Sequence, residues 1–470
     1  MSVLLAWLAP WCFGCGLWLL CQRVPRHPAA WCAAIGGGWL LGALFTGLLV
    51  QLFAVVVSPQ SVVRLLAPWM LVAGLAMVLA AWRWRRVVVA APASWHVDWR
   101  WIALGVVVML LLALRLPWMW REATLPPLFP WDAWTAWSVK PATWFQLDRW
   151  VEFRAFDAWI TGIDADVFTS EAVGYPAWLG RLEVWYAAGA GCWCDPAFTP
   201  LWPVAWVALL LLVFGQLCVL GVRVPVAWVA TYVLGSLPLL DVHAAMAGYA
   251  DLWLAAFIVL GMLVWLQWQR WRTPACAGIV LPVLLVLPAV KLEGGVWMLL
   301  AMAAVLIGLL SRRQRIGVLL VVGVALVVLA CLLWLGVRLA LPGIGTLFID
   351  ADGLHVPGRS AMQLGWYPVS GPVLKSLFVA SNWHLLFFAA LAWVALHWRC
   401  MRHRAQPVGV FLACALMFVL ALFFFTDASA WADNFTSIGR LLLQVVPLLV
   451  CYLALLDRDA PRSSDDVPVA

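Results

Sequence analysis

SRRQRIGVLLVVGVALVVLACLLWLGV, residues 311–337, joins a basic cluster to an uncharged run from 316 to 337. A helix needs about 20 mostly apolar residues to cross a bilayer, and this run supplies them. Its apolarity is continuous rather than alternating, which argues against a transmembrane β-barrel. Lys and Arg gather on the cytoplasmic side of such spans, so 311–315 is expected inside.

Similar runs recur along the whole chain. Two thirds of the 470 residues are hydrophobic and 11% are charged, too few charges to cover a water-soluble domain. The sequence therefore reads as one all-α polytopic membrane domain, 1–470. Thirteen spans are expected, at about 3–20, 30–57, 63–81, 101–118, 201–221, 225–240, 250–268, 276–290, 294–310, 316–337, 379–397, 407–425 and 440–456. The first segment has no basic stretch before it and no small-residue cleavage site after it, so it is expected to be a retained span.

Loop charge sets the orientation. QRVPRH, RWRR, Arg223, QRWR, SRRQR, WRCMRHR and the 457–470 tail lie on one side, the cytoplasmic one. The N-terminus is then external, and most of the acids are external with it. Two external loops are long, 119–200 and 338–378, and the first holds ten acids from Glu122 to Asp195. The net charge of +7 is spread over short loops and does not indicate nucleic-acid binding. Most of the Cys lie in apolar runs, where Cys packs as a small hydrophobe. Cys192 and Cys194 are the pair in a polar segment. Their spacing is awkward for a mutual disulfide and is not that of a zinc site, so no chemistry is expected of them.

The first external loop contains LPPLFPWDAWTAWSVK, 125–140. Three prolines precede a stretch that reads as a short interfacial helix. At about 100° per residue, Trp131, Trp134 and Trp137 fall at roughly 0°, 300° and 240° on the wheel, and Asp132 at roughly 100°. Trp favours the membrane interface, so the stripe is expected to face lipid and Asp132 a protein cavity. Pro141 should stop or kink the helix at Lys140, leaving that ammonium free to reach an anion. An equally simple reading makes Asp132 a helix cap.

DAWTAWSVK (132–140), GYPAW (174–178), GYADLW (248–253), KLEGG (291–295) and GRLLLQVVP (439–447) follow one another along the chain. In kind and order they resemble motifs of the GT-C glycosyltransferase superfamily, which includes protein O-mannosyltransferases and lipid A aminoarabinose transferases. Gly174 stands where that pattern has an acid, and Leu292 where it has Asn. Glu171, four residues before Tyr175, is the candidate to supply the missing carboxylate.

The resemblance implies a GT-C-like fold whose long first external loop carries interfacial helices. It also implies inverting transfer of a sugar from a polyprenyl-phosphate donor to a lipid, glycan or protein acceptor at the outer face of the plasma membrane, which is periplasmic in a Gram-negative cell. Asp132 matches the catalytic base. Lys140, Glu171, Tyr175, Asp251, Lys291, Glu293 and Arg440 are the candidate donor-phosphate and substrate contacts. No cofactor is required by this reading, and family members differ in their use of a divalent ion. Each residue also has a simpler role open to it. Asp251 can cap a helix, Lys291 and Glu293 can form a salt-bridged turn, and Arg440 can anchor at the interface. His243 reads as structural. DADG, 350–353, is an incomplete calcium loop without its distal Glu, and no metal site is expected there. A flippase, or an O-antigen polymerase or ligase, is the alternative function. A transporter should carry its polar groups near mid-membrane, whereas these lie at span ends.

Overall fold

The computed structural model describes residues 2–21, 28–88, 98–162, 166–272, 274–341, 345–350, 352–355, 361–397 and 406–459. The QRVPRH and WRCMRHR loops and most of the 457–470 tail fall outside these residues.

The apolar run at 316–337 lies in one helix, Arg312–Trp334, 23 residues long. Its start is fixed by a capping box, in which the Ser311 side chain and Gln314 satisfy each other's backbone ends. Several of its side chains are outside the described residues. Among the described residues, seven helices are long and apolar enough to cross a membrane: Val3–Cys21, Ala30–Phe53, Pro59–Arg83, Trp99–Thr124, Asp195–Leu220, Asp251–Arg270 and Pro407–Phe425. Val224–Gly235 and Pro238–Ala245 make an eighth if their 61° bend lies within one span. Proline causes that bend, because Pro238 has no N–H to continue the ladder and disfavours helical geometry at Leu237.

Four further expected spans correspond to shorter apolar helices, Cys276–Val290, Gly294–Leu309, Leu386–Leu396 and Val446–Asp457. The chain divides the expected 440–456 span in two, Ile438–Leu443 and Val446–Asp459, with Gln444 in the gap.

The helix Asp251–Trp271 is the innermost element, with 94% of its spanning window buried. Trp253 near its start is sealed by Trp39, Trp178 and Trp202, at ring-centroid distances of 5.5, 5.5 and 6.2 Å. Deeper in the bundle, Gln216 donates to Gln267 at 3.0 Å, both buried. In an apolar interior such a bond ties two helices together, because neither amide has water as an alternative.

The 119–200 segment is ordered into short helices, among them Val139–Leu147 and Trp178–Ala190, and a parallel pair of two-residue strands, Glu152–Phe153 and Val167–Phe168. Cys192 and Cys194 are disulfide-bonded, although their spacing is awkward for pairing and no chemistry was expected of them. Their Cα atoms are 5.6 Å apart, within ordinary disulfide reach. In the 338–378 segment, Leu339–Leu341, Gly345–Asp350 and Gly353–His355 form an antiparallel sheet in that order.

Candidate functional site

Asp132 sits where the chain leaves the proline stretch and winds into a single π turn, Ala133–Trp137. The turn is closed by Ser138 N–H donating to the Ala133 carbonyl at 2.7 Å, an i→i+5 bond. This alters the expected tryptophan stripe. Wider winding separates residues that an α-helix would align. Trp131 and Trp134 stay exposed and pack edge to face, while Trp137 turns inward and is buried against the Tyr175 ring at 4.8 Å. Asp132 makes no capping hydrogen bond. Its carboxylate instead meets Arg440 Nη1 at 2.5 Å, across 308 residues of sequence.

Arg440 links that carboxylate to a second one. Its Nε and Nη2 each lie 3.1 Å from Asp251 Oδ2. The other oxygen of Asp251 receives Lys291 Nζ at 2.7 Å and Gln444 Nε2 at 2.6 Å. Gln444 is oriented in turn by Trp297 Nε1, 2.5 Å from its Oε1. Glu293 completes the group, 3.6 Å from Lys291. Three carboxylates therefore surround two cations.

Exposure divides the cluster into a floor and a rim. The side chains of Asp251 and Lys291 are 0% and 4% exposed, whereas Arg440, Glu293 and Asp132 are 25%, 25% and 34% exposed. Isolated charges cannot be buried cheaply, but a carboxylate that accepts from Lys, Arg and Gln at once is compensated. The Arg440 guanidinium also lies over the Tyr249 ring, 4.7 Å from its centroid.

Two glycines allow these segments to converge. Gly248 has φ +103°, and a Cβ there would collide with Ala133, the residue after Asp132. This is the physical role of the glycine in GYADLW: it brings the start of the Asp251 helix against the Asp132 turn. In KLEGG, a Cβ on Gly294 would strike the Leu287 carbonyl, so glycine allows the tight turn that points Lys291 at Asp251.

No protein-family model, curated protein or solved structure matches this chain.

Five of the eight candidate residues meet in the cluster: Asp132, Asp251, Lys291, Glu293 and Arg440. Tyr175 stands at its edge, where burial and, behind it, the Glu293 carboxylate raise the phenol pKa. Lys140 has a different position from the one expected. Pro141 is tolerated in the first turn of Val139–Leu147, so the helix does not stop at Lys140 and its ammonium is buried rather than free. It donates to the carbonyls of Val173 and Tyr175, at 2.7 and 2.8 Å, and so ties the GYPAW loop down. Glu171 is exposed and makes no hydrogen bond or ion pair among the described residues.

Burial, with a smaller contribution from Arg181, lowers the Lys140 pKa to about 8. The folded value lies below the unfolded one, so the charged form costs stability, and that cost fades as pH rises from about 8 towards 10.5. Lys140→Met is therefore expected to remove this rise in thermal stability across pH 8 and to loosen 171–176 in hydrogen exchange. Donor affinity should stay within about twofold of wild type, because the Lys140 ammonium is spent on two backbone carbonyls. A tenfold loss of donor affinity would return Lys140 to the binding site.

Four residues absent from the sequence-based candidate set belong to the cluster. Gln444 had a signal, since it lies four residues after Arg440 and falls on the same face in a helical register. Tyr249 stood inside a quoted motif. His243 is buried against the Tyr249 ring at 5.1 Å, and its Nδ1 has no hydrogen-bond partner among the described residues. Trp297 is one of 36 tryptophans and carried no signal.

An apolar cavity of about 430 Å³ lies elsewhere, between Val226, Val229, Trp393 and Leu453. It shares no residue with the cluster. Asp350, Asp352 and His355 gather at an exposed hairpin, their ligand atoms within 4.8 Å of one another. Asp350 is already hydrogen-bonded there to His355 and to the Asp352 N–H.

Proposed function

We propose that this protein is a membrane glycosyltransferase that moves a sugar from a polyprenyl-phosphate carrier to an acceptor hydroxyl at the outer face of the plasma membrane. One observation carries the reading: Asp132, Asp251, Lys291, Glu293 and Arg440, scattered over more than three hundred residues, meet in one half-buried cluster. The reaction needs a base for the acceptor and cations for the leaving phosphate, and the cluster contains both. The acceptor oxygen attacks the anomeric carbon, the bond from that carbon to the phosphate oxygen breaks, and polyprenyl phosphate departs. The acceptor proton passes to Asp132. Arg440 and Lys291 balance charge on the departing phosphate. Attack opposite the leaving group inverts the anomeric centre.

The placement of the charges supports chemistry at the membrane surface over transport. Asp251 is the first residue of its helix, and Lys291 and Glu293 occupy the turn between two apolar helices. Transport sites lie nearer mid-membrane. The fuller topology has thirteen spans and a GT-C-like first external loop. The Cys192–Cys194 disulfide suits a segment on the oxidising side.

Orientation is tested with Thr161→Cys and Gln314→Cys in a background without native cysteines. An impermeant thiol reagent on intact spheroplasts is expected to label position 161 and spare 314. The reverse pattern would overturn the orientation. For the function, mass spectrometry of envelope glycans from cells with and without the gene should show a glycan missing one sugar in its absence. Identical glycan profiles would count against a transferase.

A further inference from the structure

Every cation in the cluster already has a carboxylate partner, so an arriving phosphate meets occupied positions. Arg440 holds two acids, and they differ in what their departure would cost. Asp251 is sealed, takes Lys291 and Gln444 as well as Arg440, and starts the most buried helix. Moving it would strand a buried ammonium. Among the described residues Asp132 has one polar contact, Arg440 Nη1; it makes no backbone cap and is 34% exposed. Leaving Arg440 would return it to water at little cost. The rim carboxylate is thus the exchangeable one, and the floor carboxylate holds Arg440 and Lys291 in place.

We infer that the donor phosphate and Asp132 compete for Arg440, so that donor binding itself releases the base. The identification of the incoming anion with a prenyl-linked phosphate rests on the transferase reading above. Until the anion arrives, Asp132 Oδ2 accepts from a permanently charged guanidinium, which holds the carboxylate on Arg440 rather than on an acceptor hydroxyl. A phosphate offers more charge and more acceptor oxygens than one carboxylate, and guanidinium pairs with it through two parallel bonds. It takes the Nη1 edge and Asp132 swings free beside it. The order of binding follows: donor first, then activation of the acceptor. Asp132 is both the base and the group that occupies the phosphate site in the empty protein.

The competition has an unusual consequence for a catalytic residue, because removing it should tighten donor binding. Farnesyl phosphate is the probe, titrated calorimetrically into the full-length protein in detergent, with farnesol as the uncharged control. Asp132→Asn is expected to bind farnesyl phosphate about three- to fivefold more tightly than wild type, the range in which a partly exposed charge pair competes. Asp132→Ala should shift affinity in the same direction, so the test does not depend on one variant accumulating. Arg440→Gln should bind more weakly, and farnesol should not distinguish the variants. Asp166→Asn removes one negative charge from the same 119–200 segment, at an exposed acid that pairs with Arg149 outside the cluster, and should change affinity by less than about twofold.

Equal or weaker binding in both Asp132 variants would overturn the inference. So would equal tightening in Asp132→Asn and Asp166→Asn, which is what plain loss of negative charge produces. Turnover of a polyprenyl-phosphate sugar by the wild-type protein tests the transferase reading separately. Tightening without turnover keeps the exchange and removes the transferase, and turnover without tightening does the reverse.

Discussion

Asp132→Asn is expected to lower sugar transfer by about 10²–10⁴ while the protein folds and its donor affinity does not fall. The substitution keeps the size of the side chain and removes the rim carboxylate that pairs with Arg440. Asn caps a helix about as well as Asp, and Asp132 makes no cap here in any case, so the π turn has no reason to unwind. Arg440 retains both its bonds to Asp251. The loss should therefore appear in kcat, with donor KM unchanged or lower. A residue serving only as an ion-pair partner predicts the opposite, near-normal turnover with reduced stability. Transfer within a few-fold of wild type in a folded Asp132→Asn would end the catalytic assignment.

The second large effect concerns stability. Asp251→Ala should destabilise the protein by about 3–5 kcal/mol, the typical cost of stripping one partner from a buried ion pair. It takes from Lys291, 4% exposed, its close carboxylate and leaves it Glu293 at 3.6 Å, while Arg440 keeps Asp132. The damage comes from a buried ammonium left without its close partner, so neutralising Lys291 should reverse part of it. Asp251→Ala combined with Lys291→Met, which keeps an apolar stem in the cavity, is expected to be more stable than Asp251→Ala alone. Thermal denaturation of the two single variants and the double variant gives the coupling between the positions. Additive losses at 251 and 291 would contradict the arrangement described here. The double variant should stay inactive, because the phosphate would have lost a cation and Arg440 its support.

Sequence carried the helical architecture because charge-free runs of helical length leave a chain few other ways to satisfy its backbone in lipid. The 312–334 helix is written in its residues, down to the Ser311 and Gln314 pair that starts it. Breaks were harder to read. Hydropathy is blind to Pro238 inside an apolar run and to the gap at Gln444, so spans expected as continuous at 225–240 and 440–456 are interrupted. The candidate acids and cations stood out because each interrupts an apolar neighbourhood, but their pairing did not. Nothing local to residue 132 specifies residue 440, and the contact depends on glycine-permitted close approaches at Gly248 and Gly294. The π turn was invisible for a related reason, since a wheel at fixed pitch cannot signal a change of winding. Lys140 shows the limit most plainly. Its sequence setting resembles that of a free cation, yet tertiary packing turned it towards two carbonyls. Glu183 is the converse case. It counted as one loop acid among ten, but it is fully buried, and burial pushes its carboxyl pKa up to about 8.

The central claim is that a lipid-phosphate sugar is the donor and that the Asp132–Arg440–Asp251–Lys291 cluster acts on it. The most direct measurement incubates the purified protein in lipid nanodiscs with either polyprenyl-phosphate sugars or nucleotide sugars, in the presence of envelope acceptors. Sugar incorporation and released polyprenyl phosphate are followed for wild type and Asp132→Asn. The account predicts release with the lipid-linked donor by wild type, little by Asp132→Asn, and none by either with nucleotide sugars. Turnover of a nucleotide sugar without any lipid carrier, or equal release by wild type and Asp132→Asn, would contradict it.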